Sequence, residues 1–220
     1  TVLNDNLGAS KRFEVNGNFA YHIKTGQTTM LSLGLNAGID IFSIDYSKGN
    51  YRNKLDPVFQ ENLNTLRPLM GAGAFYYGEK WYVGVSSNNL LNSQIYQGDG
   101  NNVTERKSQF YFMGGYVIDL SESVKFKPAV LTKHVSGSPL TLDVSANFLL
   151  RERLSLGLAY RYDDAVSALA GFYITDKFFL GYAYDYSITG LGDYNSGSHE
   201  IIVTYHLEGL KKRALSPRFF

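Results

Sequence analysis

The stretch Phe13-Glu14-Val15-Asn16-Gly17-Asn18-Phe19-Ala20-Tyr21-His22-Ile23-Lys24 decides the fold class. Apolar residues and Gly17 hold the odd positions. Glu, Asn, Asn, Ala, His and Lys hold the even ones. Successive side chains of an extended chain point to opposite faces, so this is a strand with one apolar and one polar or small face. A short turn, Thr25-Gly26-Gln27, follows. Leu31, Leu33, Leu35, Ala37, Ile39 and Ile41 then alternate with Ser32, Gly34, Asn36, Gly38 and Asp40. A strand of a globular protein averages about 5–6 residues, whereas a tilted membrane crossing needs about 9–11. The alternation here is of the longer kind.

The pattern recurs down the chain. Phe110, Phe112, Gly114, Tyr116, Ile118 and Leu120 form one row, and Val124, Phe126, Pro128 and Val130 another. Leu140, Leu142, Val144, Ala146, Phe148 and Leu150 are followed across the turn Arg151-Glu152-Arg153 by Leu154, Leu156, Leu158, Tyr160 and Tyr162. Phe178, Leu180, Tyr182, Tyr184 and Tyr186 precede a last row of His199, Ile201, Val203, Tyr205 and Leu207. Connections around 25–27, 78–80, 121–123, 151–153 and 175–177 are tight and polar. Those around 48–64, 88–106, 134–138 and 189–197 are mostly longer and carry Gly, Asn and Ser. Short turns at one rim and longer loops at the other mark an outer-membrane β-barrel.

A soluble sandwich or a lipocalin-like barrel has the same period with the faces reversed. Two features favour the membrane reading. The polar row of Asn, Ser, Gly, Asp and Lys suits a wet lumen. Tyr160, Tyr162, Tyr184 and Tyr186 gather toward strand ends, where interfacial girdles sit. Composition agrees: 17 Tyr and 14 Phe accompany 22 Gly, with 5 Pro and 1 Trp. The net charge of +1 offers no nucleic-acid footprint, and the absence of Cys excludes a disulfide framework and thiolate zinc sites. No apolar run is long enough for a transmembrane helix. The expected architecture is all-β, a transmembrane antiparallel barrel over residues 1–207 with about eleven strands, followed by a tail over 208–220. Because bacterial barrels usually have even strand numbers, and because Thr1-Val2-Leu3-Asn4-Asp5 has no initiator Met and no signal-peptide character, N-terminal strands are expected to be missing.

Candidate chemistry is sparse. His199-Glu200 resembles the start of a zinc-binding HExxH, but position 203 is Val. Asp163-Asp164 lies at a strand end, where carboxylates face water. Ser196 and Ser198 stand near His199, but no GxSxG elbow is present. Gly71-Ala72-Gly73 and Gly114-Gly115 lack the strand-to-helix setting of a phosphate loop and suit close backbone packing. Lys125, Lys127, Lys133 and Arg161 line either a cationic lumen or internal ion pairs with Asp119, Asp143 and Asp185. No catalytic residue, cofactor or metal site is expected.

A set of motifs is more specific: Asn4-Asp5, Asp56-Pro57-Val58-Phe59, Lys127-Pro128 with Leu131 and Lys133, Tyr160-Arg161-Tyr162-Asp163-Asp164-Ala165, Gly181-Tyr182-Ala183-Tyr184-Asp185, Gly197-Ser198-His199-Glu200-Ile201, and the terminal Ser216-Pro217-Arg218-Phe219-Phe220. In this order they resemble the PorP/SprF family of the type IX secretion and gliding-motility apparatus of Bacteroidetes. The resemblance implies an outer-membrane barrel of about fourteen strands with no catalytic activity. It implies partners as well: outer-membrane lipids, periplasmic ring or lipoprotein components, and a secreted surface adhesin held through its C-terminal domain. Ser216, Pro217, Arg218, Phe219, Phe220, His199 and Glu200 are the partner-binding positions it suggests. The tail, basic at Lys211, Lys212, Arg213 and Arg218 and apolar at its tip, has the character of a docking peptide or of a plug for the periplasmic mouth. The alternative function is a passive porin-like channel.

Overall fold

The computed structural model describes residues 1–48, 62–91, 93–96 and 104–206. Over these residues the chain forms fifteen strands. They are β1 (Val2–Leu7), β2 (Ser10–Lys24), β3 (Met30–Ile44), β4 (Leu63–Tyr77), β5 (Trp81–Ser87), β6 (Ser93–Tyr96), β7 (Thr104–Arg106), β8 (Gln109–Tyr116), β9 (Ile118–Ser121), β10 (Val124–Val135), β11 (Thr141–Leu150), β12 (Leu154–Arg161), β13 (Ala165–Thr175), β14 (Phe178–Ser187) and β15 (Ser198–Tyr205). Thirteen of them make a single antiparallel sheet, and β6–β7 is a small hairpin inserted between β5 and β8. β8 and β9 lie in line along β10. Among the described residues β1 and β15 are the two edges, and no ladder closes the sheet between them.

The all-β antiparallel fold is as expected. The sheet order holds twelve positions where the alternation gives about eleven. The additional one is β1, whose Val-Leu-Asn-Asp-Asn-Leu sequence does not alternate but pairs along its length with Leu7↔Ser10 to Val2↔Val15. Leu207, the tail over 208–220 and the Asp56-Pro57-Val58-Phe59 motif lie outside the described residues.

Every connection in the large sheet joins neighbouring strands, so the ladder is a continuous meander. This pairs neighbouring strands by their backbone N–H and C=O groups, as crossing a bilayer without helices requires, with β4 paired to β3 along its whole length and to β5 over Ala72–Tyr77. β2, β3 and β4 each run 15 residues. At 3.3 Å per residue such strands reach about 50 Å, longer than a tilted crossing of a hydrocarbon layer of about 30 Å, so their ends stand beyond it.

The two faces are inverted relative to a soluble protein. On β3, Leu33, Leu35 and Ile39 are exposed, while Ser32 and Asp40 on the opposite face are buried. The same inversion holds on β12, where Leu154, Leu156, Leu158 and Tyr160 are exposed and Ser155 is buried. The apolar row is the outer surface, which removes the soluble sandwich and lipocalin readings.

Space on the inner face is set by glycines under aromatic rings. A Cβ on Gly171 would stand 2.2 Å from Cζ of Phe179, and one on Gly115 would stand 2.6 Å from the Tyr82 ring. Phe75 meets Tyr82 at 5.6 Å and Tyr77 at 5.3 Å between ring centroids. Both tyrosines are buried. Rings lying over glycines on neighbouring strands pin the register of a curved sheet.

The inversion predicts a one-sided response to charge. Leu35 lies mid-strand on the outer face, 64% exposed. Leu35→Arg is expected to destabilise the vesicle-inserted protein by about 2–4 kcal/mol. Asn18→Ser, on the inner face, is expected to change it by less than about 1 kcal/mol. Equilibrium unfolding in guanidinium from lipid vesicles measures both.

Candidate functional site

The sites follow from which rim each strand end reaches. The turns at 25–29, 78–80, 122–123, 151–153 and 176–177 share one rim. The connections after β1, β3, β5, β10, β12 and β14 share the other, which carries the longer loops. The functional features concentrate toward this long-loop rim.

The first is a unit built from β14 and β15. Their register places Tyr182 opposite Ile201, Ala183 opposite Glu200, Tyr184 opposite His199 and Asp185 opposite Ser198. Two motifs far apart in the sequence are thus one cross-strand pair. Gly197 has φ +82°, and the space where its Cβ would be is taken by the Tyr184 ring at 2.8 Å. A side chain there meets both a backbone penalty and a clash. The Tyr184 hydroxyl donates to the Ser196 carbonyl at 2.9 Å. His199 lies against Tyr184 at 4.9 Å between centroids, and its Nδ1 shares a 2.5 Å hydrogen bond with the Tyr182 hydroxyl. His199 therefore sits on the outer, aromatic face. Glu200, one residue on, faces the lumen with Ala183 and Asp185.

The second feature is the turn between β12 and β13. Arg161 donates to Asp143 across the strand pair at 2.9 Å and to Asp164 at 3.4 Å. Ile188 N–H donates to the Asp164 carbonyl at 2.9 Å, tying this turn to the end of β14. Asp163 takes a left-handed φ of 56°. Asp185 accepts from the Ser167 hydroxyl.

The third is an ion network across β2, β3 and β4. Asp40 has no exposed surface. Its carboxylate accepts from Arg12 Nε at 3.0 Å and from Arg67 Nη2 at 2.8 Å. Arg12 also pairs with Glu14. The Arg67 guanidinium lies over the Phe42 ring at 5.2 Å. Among the described residues two cations meet two anions, and such pairing is what allows charge to be held out of water.

Over residues 1–205 the chain matches the family described as type IX secretion system membrane protein PorP/SprF. The chain belongs to that family. No curated protein matches it. PorP/SprF is a family of secretion-system membrane components, not of enzymes.

In this PorP/SprF protein the sequence candidates for catalysis do not converge. Ser198 faces the lumen and His199 the outer surface, so the two do not form a nucleophile–base couple. Asp164 is engaged by Arg161, and Asp163 is turned away into its own left-handed bend. Gly71 is a packing residue: its missing Cβ would be 2.5 Å from the Ser87 carbonyl. Gly115 accommodates Tyr82. Among the described residues no group of three His, Asp or Glu side chains is placed to hold a metal.

The inner cations differ in their surroundings, and Lys133 stands opposite Thr141 and Tyr111 in the ladder. Arg161 is paired with Asp143, as the ion-pair reading has it. Lys125 bonds Glu152 at 3.0 Å on the short-turn rim, not Asp119. Asp119 is instead engaged by Lys80 at 2.7 Å, and that hydrogen bond raises the Lys80 ammonium above its ordinary pKa. Asp185 is not an arginine partner but takes Ser167. Lys127 is buried opposite Asn147. The Arg12–Asp40–Arg67 network was not among the sequence candidates. Its signal is an Asp in the polar row of β3 with Arg in the polar rows on both sides.

Arg67→Leu removes a guanidinium partner at 2.8 Å from a fully buried carboxylate, a loss expected to cost roughly 3 kcal/mol. The Asp40→Leu/Arg67→Leu double variant is expected to cost less than the sum of the two single variants. A double-mutant cycle by guanidinium unfolding checks the coupling, and strict additivity would contradict the network.

Proposed function

We propose that this chain is a non-enzymatic component of the type IX secretion and gliding-motility machinery in the outer membrane of a Bacteroidetes bacterium. In this reading it holds a surface adhesin through its C-terminal domain at one rim and periplasmic secretion components at the other. The observation that carries the proposal is the β14–β15 ladder, where two family motifs meet as one braced structure at the long-loop rim. That construction leaves Glu200 and Asp185 on the lumen wall and uses His199 as a brace against Tyr182 and Tyr184. Glu200 is then the contact residue of the His199-Glu200 pair, and His199 acts through the position of the strand.

The opposite rim supports the second half of the reading. His206 N–H donates to the Lys177 carbonyl at 2.8 Å, so the chain leaves the sheet on the short-turn side. In outer-membrane barrels short turns face the periplasm. The segment Ser216-Pro217-Arg218-Phe219-Phe220 begins ten residues after His206 in the sequence. Its basic and aromatic chemistry suits a groove-binding peptide.

Deleting residues 216–220 is expected to remove periplasmic secretion proteins from pull-downs of native membranes while heat-modifiable migration, the mark of a folded barrel, is retained. Glu200→Gln is expected to weaken recovery of the adhesin and leave the periplasmic partners in place. Unchanged co-purification and secretion in both variants would count against the reading. A steady porin-sized conductance of the purified protein in a planar bilayer would favour the channel instead.

A further inference from the structure

We propose that β6 is a hinged strap that completes the wall beside β4 by adding to the open upper edge of that strand. The inference rests on the membrane placement of the sheet and is independent of the secretion partners.

β4 pairs with β3 from Leu63 to Tyr77, but with β5 only from Ala72 to Tyr77. One further bond, from Leu90 N–H to the Met70 carbonyl at 2.7 Å, extends the β5 side. Among the described residues no strand pairs with β4 above that bond on this side. The Met70 carbonyl points away from β3. Backbone groups alternate in direction along a strand, so those of Leu66 and Pro68 point the same way as those of Met70. Leu66 therefore offers an N–H and a C=O to the open side. Pro68, which has no N–H, offers a C=O alone. This edge lies at the level of hydrocarbon. Phe13, Ile41 and Leu66 stand in line across three strands, as do Val15, Ile39 and Pro68. Leu66 is 64% exposed, and Phe13, Val15, Ile39 and Pro68 are exposed with it. Unpaired backbone groups at that depth need a partner strand.

The register selects the strand. Ala72 faces Ser87, and Leu90 meets Met70. Two steps along β4 are matched by three along its partner, the count of a β-bulge, where a strand bends. Carried upward from Leu90 and Met70, the register sets Ser93 opposite Arg67 and Tyr96 opposite Asn64. Ser93–Tyr96 is β6. β6 thus reaches the open edge with no change below the bulge. Among the described residues β6 pairs with β7 alone, so the structure shows it off the edge of β4. A strand tethered this closely has a concentration advantage over any free peptide.

The bulge is built as a hinge. Ser87 and Asn89 are buried, each 4% exposed. The Ser87 hydroxyl donates to the Asn89 carbonyl at 3.0 Å. The Asn89 side-chain amide donates to the Leu91 carbonyl at 2.7 Å and accepts from Leu91 N–H at 3.3 Å. Gly71 gives this turn its seat, since a Cβ there would lie 2.5 Å from the Ser87 carbonyl and 2.8 Å from that of Asn88. The pivot is therefore fixed, and the arm above it meets β4 along one short seam. Pro68 withholds a donor from the middle of that seam, so β6 adds and leaves at low cost. With the arm on, the wall beside β4 is continuous up to Asn64. With it off, a slot at the long-loop rim joins the lumen to the bilayer.

The chain has no Cys, so introduced pairs report cleanly. Thr65→Cys/Ile95→Cys places thiols opposite each other in the docked register. Oxidation of the full-length protein in outer-membrane vesicles is expected to close that disulfide. Thr65→Cys/Glu105→Cys is expected to stay reduced, because Glu105 on β7 lies one strand further off. Pro68→Ala supplies the missing donor and is expected to raise the crosslinking rate of the first pair roughly fivefold. Heat-modifiable migration reports folding of each variant. No crosslink in the first pair, or equal crosslinking in both pairs, overturns the docking of β6. An unchanged rate with Pro68→Ala overturns the weak seam. A disulfide-linked dimer of the Thr65→Cys single variant makes the edge a contact between two copies and overturns the proposal.

Discussion

The rest of the structure depends on one constraint: the sheet has hydrocarbon on its outer side. In that solvent an unpaired N–H or C=O costs several kcal/mol, so the backbone must be hydrogen-bonded along the whole ladder. Between adjacent strands the meander supplies these bonds without any crossover. The same solvent reverses the usual rule of burial. Leu33, Leu35 and Leu158 belong on the surface, and Ser32, Asp40 and Ser155 belong behind it. Polar groups are gathered on one face, where they meet each other or water. The ion network of Arg12, Asp40 and Arg67 and the Arg161–Asp143 pair are consequences of that gathering.

The two rims are stabilised in different ways. At the short-turn rim the chain reverses over a few residues, and backbone bonds do most of the holding. Arg151 to Ser123, Tyr173 to Arg153 and His206 to Lys177 link adjacent turns in series. At the long-loop rim side chains add to the backbone bonds. Arg161 spans β11 and the β12–β13 turn, the Asp164 carbonyl receives β14, and Tyr184 reaches across Gly197 to Ser196. A rim held by side chains accepts longer connections without loss of the wall beneath it. It is also where sequence differences change surface chemistry at least cost to the ladder.

Much of the fold was legible because β-sheet periodicity is local. Phe13 to Lys24 and Leu31 to Ile41 each declare strand, length and face within one segment. β1 was missed because its six residues do not alternate, and its pairing is set by the long partner strand β2. The sites were less legible, for a related reason. Asp40 meets arginines 28 and 27 residues away, and nothing local marks those three as partners. The motifs 181–185 and 197–201 were visible as segments, but not as a cross-strand pair. Nor did the sequence announce that His199 and Glu200 part to opposite faces, although the period of two requires it once both lie in one strand. The tail at 216–220 was read from its own chemistry and from resemblance, neither of which depends on the sheet.

That separation of His199 from Glu200 bears on how such a protein can act. A residue on the outer face meets lipid or a membrane-embedded neighbour, and one on the lumen face meets whatever enters the barrel. A single strand therefore presents two chemistries that no soluble ligand reaches at once. The aromatic brace on the outer side fixes the height and tilt of β15, and through the backbone it fixes the position of the lumen carboxylates. His199 is held by Tyr182 and Tyr184 on the outer face, and Glu200 stands on the other face opposite Ala183. The lumen wall can vary its chemistry one side chain at a time while the outer face holds its geometry constant. This is the division of labour that a wall one strand thick makes available, and it needs no second layer of protein to work.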